Sequence, residues 1–543
     1  MKKKDILFVL EISLVTVLAL VGISYAYFSL DIQGEGKDMV VTTGELKLVF
    51  TDGDTINLKD AEPGATINKI ITVENAGTDT VYYDLYWDKL ENNIARNEMT
   101  IKITCESLNS SGVVSGTCEG MNTTPIKLKN ILKRVRIASG YKHKYTINVV
   151  FTDTKEPQNY NMNSSFSGKF GIKENTDADT YDCYTNKSSL TQGYKFTNGA
   201  YVYSYKQKPD HFQMENLWVN IDEDGWGVQL VNHRSTDPIT DKICTTIDGK
   251  PIVATSSMFS QYKGSSVDFS TFDTSNVKYM DEMFYGSKID NLDLSNFDTS
   301  NVTTMYWMFY GNYNTSLDLR SFNTSNVTNT ERMFYSSAAT TLNVRGFDTS
   351  NVTNMNSMFA LSKVTELDLR GFNTSKVTNM HYAFAKMNID NLDLRYFDTS
   401  NVTNITSMFE ETVINKSLNL SGFNTSKVNS MSSMFMGFEI STLDLSSFDT
   451  SNVTDMSDMF KDSKINSLNL SSFDTSKVTS MRSMFSGATI PVLDLSSFVL
   501  NDNVNLNSMF LIASIKTAYA KDEATATKLN NIDASNVRFT VKQ

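Results

Sequence analysis

Histidine and cysteine are scarce here: 543 residues hold four of each. The histidines, His143, His211, His233 and His381, form no HExxH motif, and no repeating motif sets one beside a Ser or Cys nucleophile. The GxSxG elbow, the P-loop and the glycine-rich dinucleotide turn are also missing. No catalytic, cofactor-binding or metal-ligating residue is therefore assigned, and the chain reads as a binding protein, not an enzyme. Positive charge is in deficit as well. Lys and Arg number 49 against 61 Asp and Glu, a net charge of −12. Phosphate backbones need a basic surface, so nucleic acid is excluded as a partner. The one basic run, "KLKNILKRVR" at 127–136, alternates with Leu and Ile and reads as a solvated amphipathic face. The closing "RFTVKQ" carries neither a stop-transfer segment nor an LPxTG-like sorting motif.

The four cysteines fall into two local pairs, which suits an oxidising compartment. The pairing predicts bonds Cys105–Cys118 and Cys183–Cys244. Export is also the reading of the start. "MKKKD" is basic, and Ile6–Phe28 follows as 23 mostly apolar residues broken by Glu11. About 20 such residues span a bilayer, with the lysines left inside. "Ser24-Tyr25-Ala26" also fits a cleavage site, so residues 1–28 are a signal peptide or a retained anchor.

What the sequence has in abundance is repetition. "F-[DN]-T-S-[NK]-V" starts at Phe272, Phe297, Phe322, Phe347, Phe372, Phe397, Phe423, Phe448 and Phe473, with a degenerate tenth copy at Phe498. The spacing is 25 residues throughout, except for 26 between Phe397 and Phe423. In the copy from Phe347, residues Val352, Met355 and Phe359 lie at i, i+3 and i+7, the face of a short helix. Thr349 and Ser350 stand where they would cap it. Leu367-Asp368-Leu369 alternates as a short strand does. Each unit then predicts a strand, a turn and a short helix, stacked so that Phe, Val, Met and Leu bury one another. Methionines recurring at positions such as Met280, Met283, Met355 and Met358 share that apolar face and read as core. Between the strand leucines lies one outward column: Asp293, Asp318, Asn343, Asp368, Asp393, Asn419, Asp444, Asn469 and Asp494. It is a candidate partner-binding surface. The competing reading is that its side chains satisfy backbone groups of the turns.

"LDLSNFDTSNVTTMYWMF" resembles the repeat of BspA-like leucine-rich-repeat surface proteins of bacteria, over about 256–515. The resemblance implies a surface protein that adheres to host proteins or other cells. The cysteine that many such repeats carry after Met-Phe is missing here. Upstream, "TTGELKLVF" and "DAEPGATINKIITVENAGTDTVYYDL" resemble the TasA/camelysin-like domain of exported biofilm-matrix proteins, which implies a jelly-roll-like β-sandwich and self-assembly into fibres.

The expected fold is therefore multidomain α+β. A β-sandwich takes 29–174, a β-rich module and N-terminal cap 175–255, an α/β leucine-rich-repeat-like solenoid of about ten units 256–515, and a C-terminal cap 516–543. In the cap, 518–532 reads as an Ala-rich helix and 537–542 as a closing strand. The "DEDG" at 222–225 reads as a hairpin turn and not as a calcium loop. The expected function is adhesion to an extracellular protein or a host or bacterial cell surface, with the membrane as partner if the first segment is uncleaved. The alternative is a fibre-forming subunit of an extracellular matrix.

Overall fold

A computed structural model describes residues 28–542, except 34–37, 44–45, 53–55, 127–129, 156–157, 159–160, 162–163, 176–180, 186, 188–193, 208–225, 234–238, 240, 270, 291 and 533–536. The apolar stretch through residue 27, His211 and the "DEDG" turn lie outside the described residues. Among the described residues, no helix is long and apolar enough to cross a membrane. The chain divides into two compact units, with the break after Thr176.

The first unit is two sheets around one core. One sheet runs, in spatial order, Asn130–Ile137, Val81–Asn92, Ser165–Glu174, Phe28–Gln33 and Ile56–Ala61. The other runs Asp38–Thr43, Leu46–Thr51, Thr66–Asn75, Lys142–Phe151, Met99–Leu108 and Val114–Thr117, with Met121–Pro125 also on Met99–Leu108. Strict alternation makes these strands. In Lys142–Phe151 every second residue is buried, which places His143, Tyr145, Ile147, Val149 and Phe151 on the inner face. Trp87 stacks on Phe170 at 4.2 Å in the same core. Cys105 and Cys118 are bonded and tie the strand to its hairpin return.

The second unit opens with a five-stranded sheet: Lys195–Asn198, Tyr201–Gln207, Trp226–His233, Lys250–Ala254 and Thr246–Ile247. Cys183 and Cys244 are bonded beside it, so both expected disulfides are present. One continuous core runs from this module through the repeats to Phe539.

The repeats overturn the expected α/β coil and, with it, the α+β class. Among the described residues the α-helices come to one, Glu523–Asn530, beyond the repeats and capped by Asp522. The unit is one coil of a β-solenoid. Where the helix was expected, the chain makes overlapping turns. Met358, Ala360 and Ser362 donate to the carbonyls three residues back, at 3.2 Å. Met355, Ser357, Phe359 and Leu361 donate instead to the next coil, to Asn379, His381, Ala383 and Ala385, at 2.8–3.0 Å. An α-helix directs its amides along its own axis and could not do this. Two residues per coil take left-handed backbone to make the pattern, Ser357 at φ 55° and Leu361 at φ 58° in this copy.

Thr349 and Ser350 accordingly cap no helix. Thr349 is buried, and its hydroxyl donates to the Asn373 carbonyl of the next coil at 2.9 Å while accepting from the Asn373 amide at 2.8 Å. The same bond recurs from Thr299, Thr324, Thr374, Thr399, Thr425, Thr450 and Thr475. The [NK] position is also explained. Asn351 donates back to the Ser325 carbonyl, and Lys376 reaches back to Asn351. Replacing Thr374 with Val keeps the shape but leaves the Asp398 carbonyl without its donor. A loss of about 1–3 kcal/mol is expected in a urea titration.

Inside, like packs on like. Eleven phenylalanines, from Phe259 to Phe510, stack coil on coil, with neighbouring rings such as Phe334, Phe359 and Phe384 at 5.6 and 5.7 Å. Val352, Met355 and Met358 are fully buried beside them. Short parallel strands pair where the leucines alternate, as in Ser316–Asp318 with Thr341–Asn343 and Glu439–Asp444 with Lys464–Asn469. Thr517–Ala520 and Phe539–Val541 continue this pairing beyond Val492–Leu495.

Candidate functional site

The Asp/Asn column has one residue per coil, and Asp318, Asn343, Asp393, Asn419, Asp444 and Asn469 are the last residues of their short strands. Its chemistry is that of a turn. Asp293, Asp318, Asp368, Asp393, Asn419, Asp444, Asn469 and Asp494 each accept the backbone N–H two residues on, at 2.9–3.2 Å. This is the Asx turn, and it bends the chain from strand into corner. Asn343 sits at the same register, half-buried. Repulsion along the column is offset locally. Arg320 lies on Asp318, Arg395 on Asp393 and Lys542 on Asp494, and Asn469 donates to Asp444.

Asp368 differs from the others. It binds Arg370 and also Arg345, whose side chain is only 6% exposed. Burial pushes the Asp368 carboxyl up, but the Arg370 hydrogen bonds and the Arg345 charge outweigh it and hold it at about 2. Expected to point outward, either to a partner or to backbone groups of its turn, this residue also anchors a buried cation.

A second surface is built by departures from the repeat. On the overlapping-turn face, Tyr285, Tyr310 and Tyr335 stack from coil to coil at 4.9 and 4.8 Å. Trp307 lies against Tyr306 and Tyr310 at 5.1 and 4.7 Å, and the Arg332 guanidinium sits 5.3 Å from the Trp307 ring. All are half-buried. Trp307 holds φ 56°, in a column filled by Ser in six other coils and by Glu282, Arg332, Tyr382 and Asp458 in the rest. A bulky side chain in left-handed backbone is strained. Two polar atoms on this face are buried and lack a hydrogen-bond partner among the described residues, Trp307 Nε1 and Asp281 Oδ2. Burial pushes the Asp281 carboxyl up to about 6, although Thr304 donates to its other oxygen at 2.7 Å. None of this face was singled out from sequence. The signal was available as Tyr and Trp gathered in adjacent copies at positions that vary elsewhere in the array.

Of the histidines, His381 is half-buried, with Nδ1 2.8 Å from the Thr406 carbonyl of the next coil. His143 is buried in the first unit, where burial lowers it to about 4 and keeps it neutral. A ring nitrogen of His143 and the sulfurs of Cys105 and Cys118 all lie within 4.8 Å of one another.

No curated protein and no solved structure matches the chain. The repeats do match the sequence signature of a known family, in three overlapping stretches, 253–372, 337–435 and 411–523. That family is described as Mycoplasma protein of unknown function, DUF285.

Proposed function

We propose that this is an exported surface protein whose solenoid binds a protein partner through the aromatic face of the coils that carry Tyr285, Trp307 and Tyr335. One observation carries this reading. The solenoid does not need these side chains, since coils with Ser, Ala or Lys at the same positions fold with the same backbone pattern. Tyr, Trp and Arg are also the residues that dominate binding energy at protein interfaces. The basic start with its apolar segment, the two disulfides and the resemblance to bacterial surface repeats support export and adhesion. The Asp/Asn column serves the turns first, and its local Arg and Lys partners leave it little free charge to offer.

Full-length protein carrying Trp307→Ser and Tyr310→Ser should lose its extracellular partner in a binding titration, by about 30-fold if hot-spot truncation costs about 2 kcal/mol. The repeat unit should still fold, as the Ser-bearing coils do. Equal affinity in the double variant would refute the aromatic reading. Polymerisation of purified protein without a partner would favour the matrix-subunit alternative. Export is tested separately: protease added to intact cells should digest the repeats, and protection of the repeats would sink it.

A further inference from the structure

We propose that Cys105, Cys118 and His143 form a metal site in the reduced protein, taking a zinc-class ion in place of the disulfide. The three ligand atoms come from three stretches that the fold brings together. Cys105 lies in Met99–Leu108, and His143 lies on the adjacent strand, where its register partner is Ser107 and that of Cys105 is Tyr145. His143 is thus the diagonal neighbour of Cys105 on the same buried face. Cys118 arrives on the hairpin return, its amide 3.3 Å from the Cys105 carbonyl.

Two thiolates and an imidazole suit zinc, with Zn–S about 2.3 Å and Zn–N about 2.0–2.1 Å. A tetrahedron of those lengths sets its ligand atoms roughly 3.5 Å apart. Both sulfurs and a ring nitrogen of His143 already lie within 4.8 Å of each other, and breaking the S–S bond lets the sulfurs part to that separation. An outer shell is also in place. Tyr83 Oη is 2.8 Å from His143 Nδ1, and Tyr145 Oη is 2.5 Å from Tyr83 Oη. Tyr83 thus holds the ring at Nδ1 as outer-shell partners hold metal-bound histidines, and in this proposal Nε2 turns to the ion. Water completes the coordination.

The exchange balances simply. A dithiol reductant supplies two electrons and two protons to the disulfide and is itself oxidised to a disulfide. The ion then displaces the two thiol protons and forms two metal–sulfur bonds and one metal–nitrogen bond. The same cysteines close the hairpin in both states.

Cobalt(II) tests this in the full-length chain. The reduced protein should bind one equivalent, with the visible bands of tetrahedral cobalt and a sulfur-to-cobalt charge-transfer band, and the oxidised protein none. Cys105→Ser with Cys118→Ser should abolish the signal, and Cys183→Ser with Cys244→Ser should keep it. Tyr83→Phe should weaken binding about 10–100-fold. A reduced wild-type protein that binds no cobalt overturns the proposal without recourse to any variant. So does binding that survives loss of Cys105 and Cys118, or that is unchanged by His143→Ala.

Discussion

Phe359→Ala is expected to lower the stability of the repeat unit by about 3–5 kcal/mol, the cost of a large cavity in a core that cannot collapse. Phe359 is fully buried between Phe334 and Phe384, and its ring also tilts against Phe372 at 6.4 Å. Truncation removes packing from both neighbouring coils at once. Because each coil contacts chiefly the coils beside it, the defect also weakens the coupling between the halves of the array. Urea unfolding should show a lower midpoint and, if the halves uncouple, a smaller slope. Phe359→Leu should recover much of the loss. A cost below about 1 kcal/mol would mean that the aromatic stack is not the source of the array's stability.

Asp368→Ala is expected to cost about 3 kcal/mol, whereas Asp293→Ala should cost about 1 kcal/mol, the scale of one lost turn hydrogen bond. The difference lies in Arg345. With Asp368 gone, a buried guanidinium loses a carboxylate partner, and that loss costs more than the pair contributed. The Asp368 carboxyl is itself partly exposed, so solvent screening keeps the figure below the full range for buried pairs. Arg345→Met combined with Asp368→Ala should recover most of the loss. Acid provides a second check. The folded carboxyl sits at about 2, below its ordinary 3.8. Its contribution is therefore complete above the ordinary value and is lost as pH falls towards 2. Equal melting of the two single variants would show that Arg345 is satisfied without Asp368.

The reach of the sequence can be judged from particular residues. Val352, Met355, Met358 and Phe359 were legible as core, because positions that are apolar in nearly every copy, Thr330 being an exception at the Met355 position, must face their equivalents. The same positions misled about backbone. Turns that close three residues back place apolar side chains at i, i+3 and i+4, as a helix does, and only the direction of the amides separates them. A buried column of threonines was mistaken for helix caps, since capping residues and inter-coil donors are the same residue types. The disulfides were legible because both pairs are local. His143 was not, because strand register sets its place and no spacing records it. Nor was the aromatic face, whose residues occupy positions that vary from copy to copy and meet only across coils.

The amide pattern has a genetic consequence. Every coil offers the same donors to the coil after it and the same acceptors to the coil before it. A 25-residue unit removed whole, or duplicated by unequal crossing-over within the reading frame, leaves the two new surfaces matched. The array can gain or lose length in steps of about 4.8 Å, one strand spacing, without redesign of its interior. An insertion of any other size must be absorbed within one coil. The 26-residue spacing to Phe423 is such a case, and there a Cβ on Gly422 would collide with the Arg395 carbonyl oxygen. Related genes should therefore differ in whole coils, with the aromatic face shifted by the same increments.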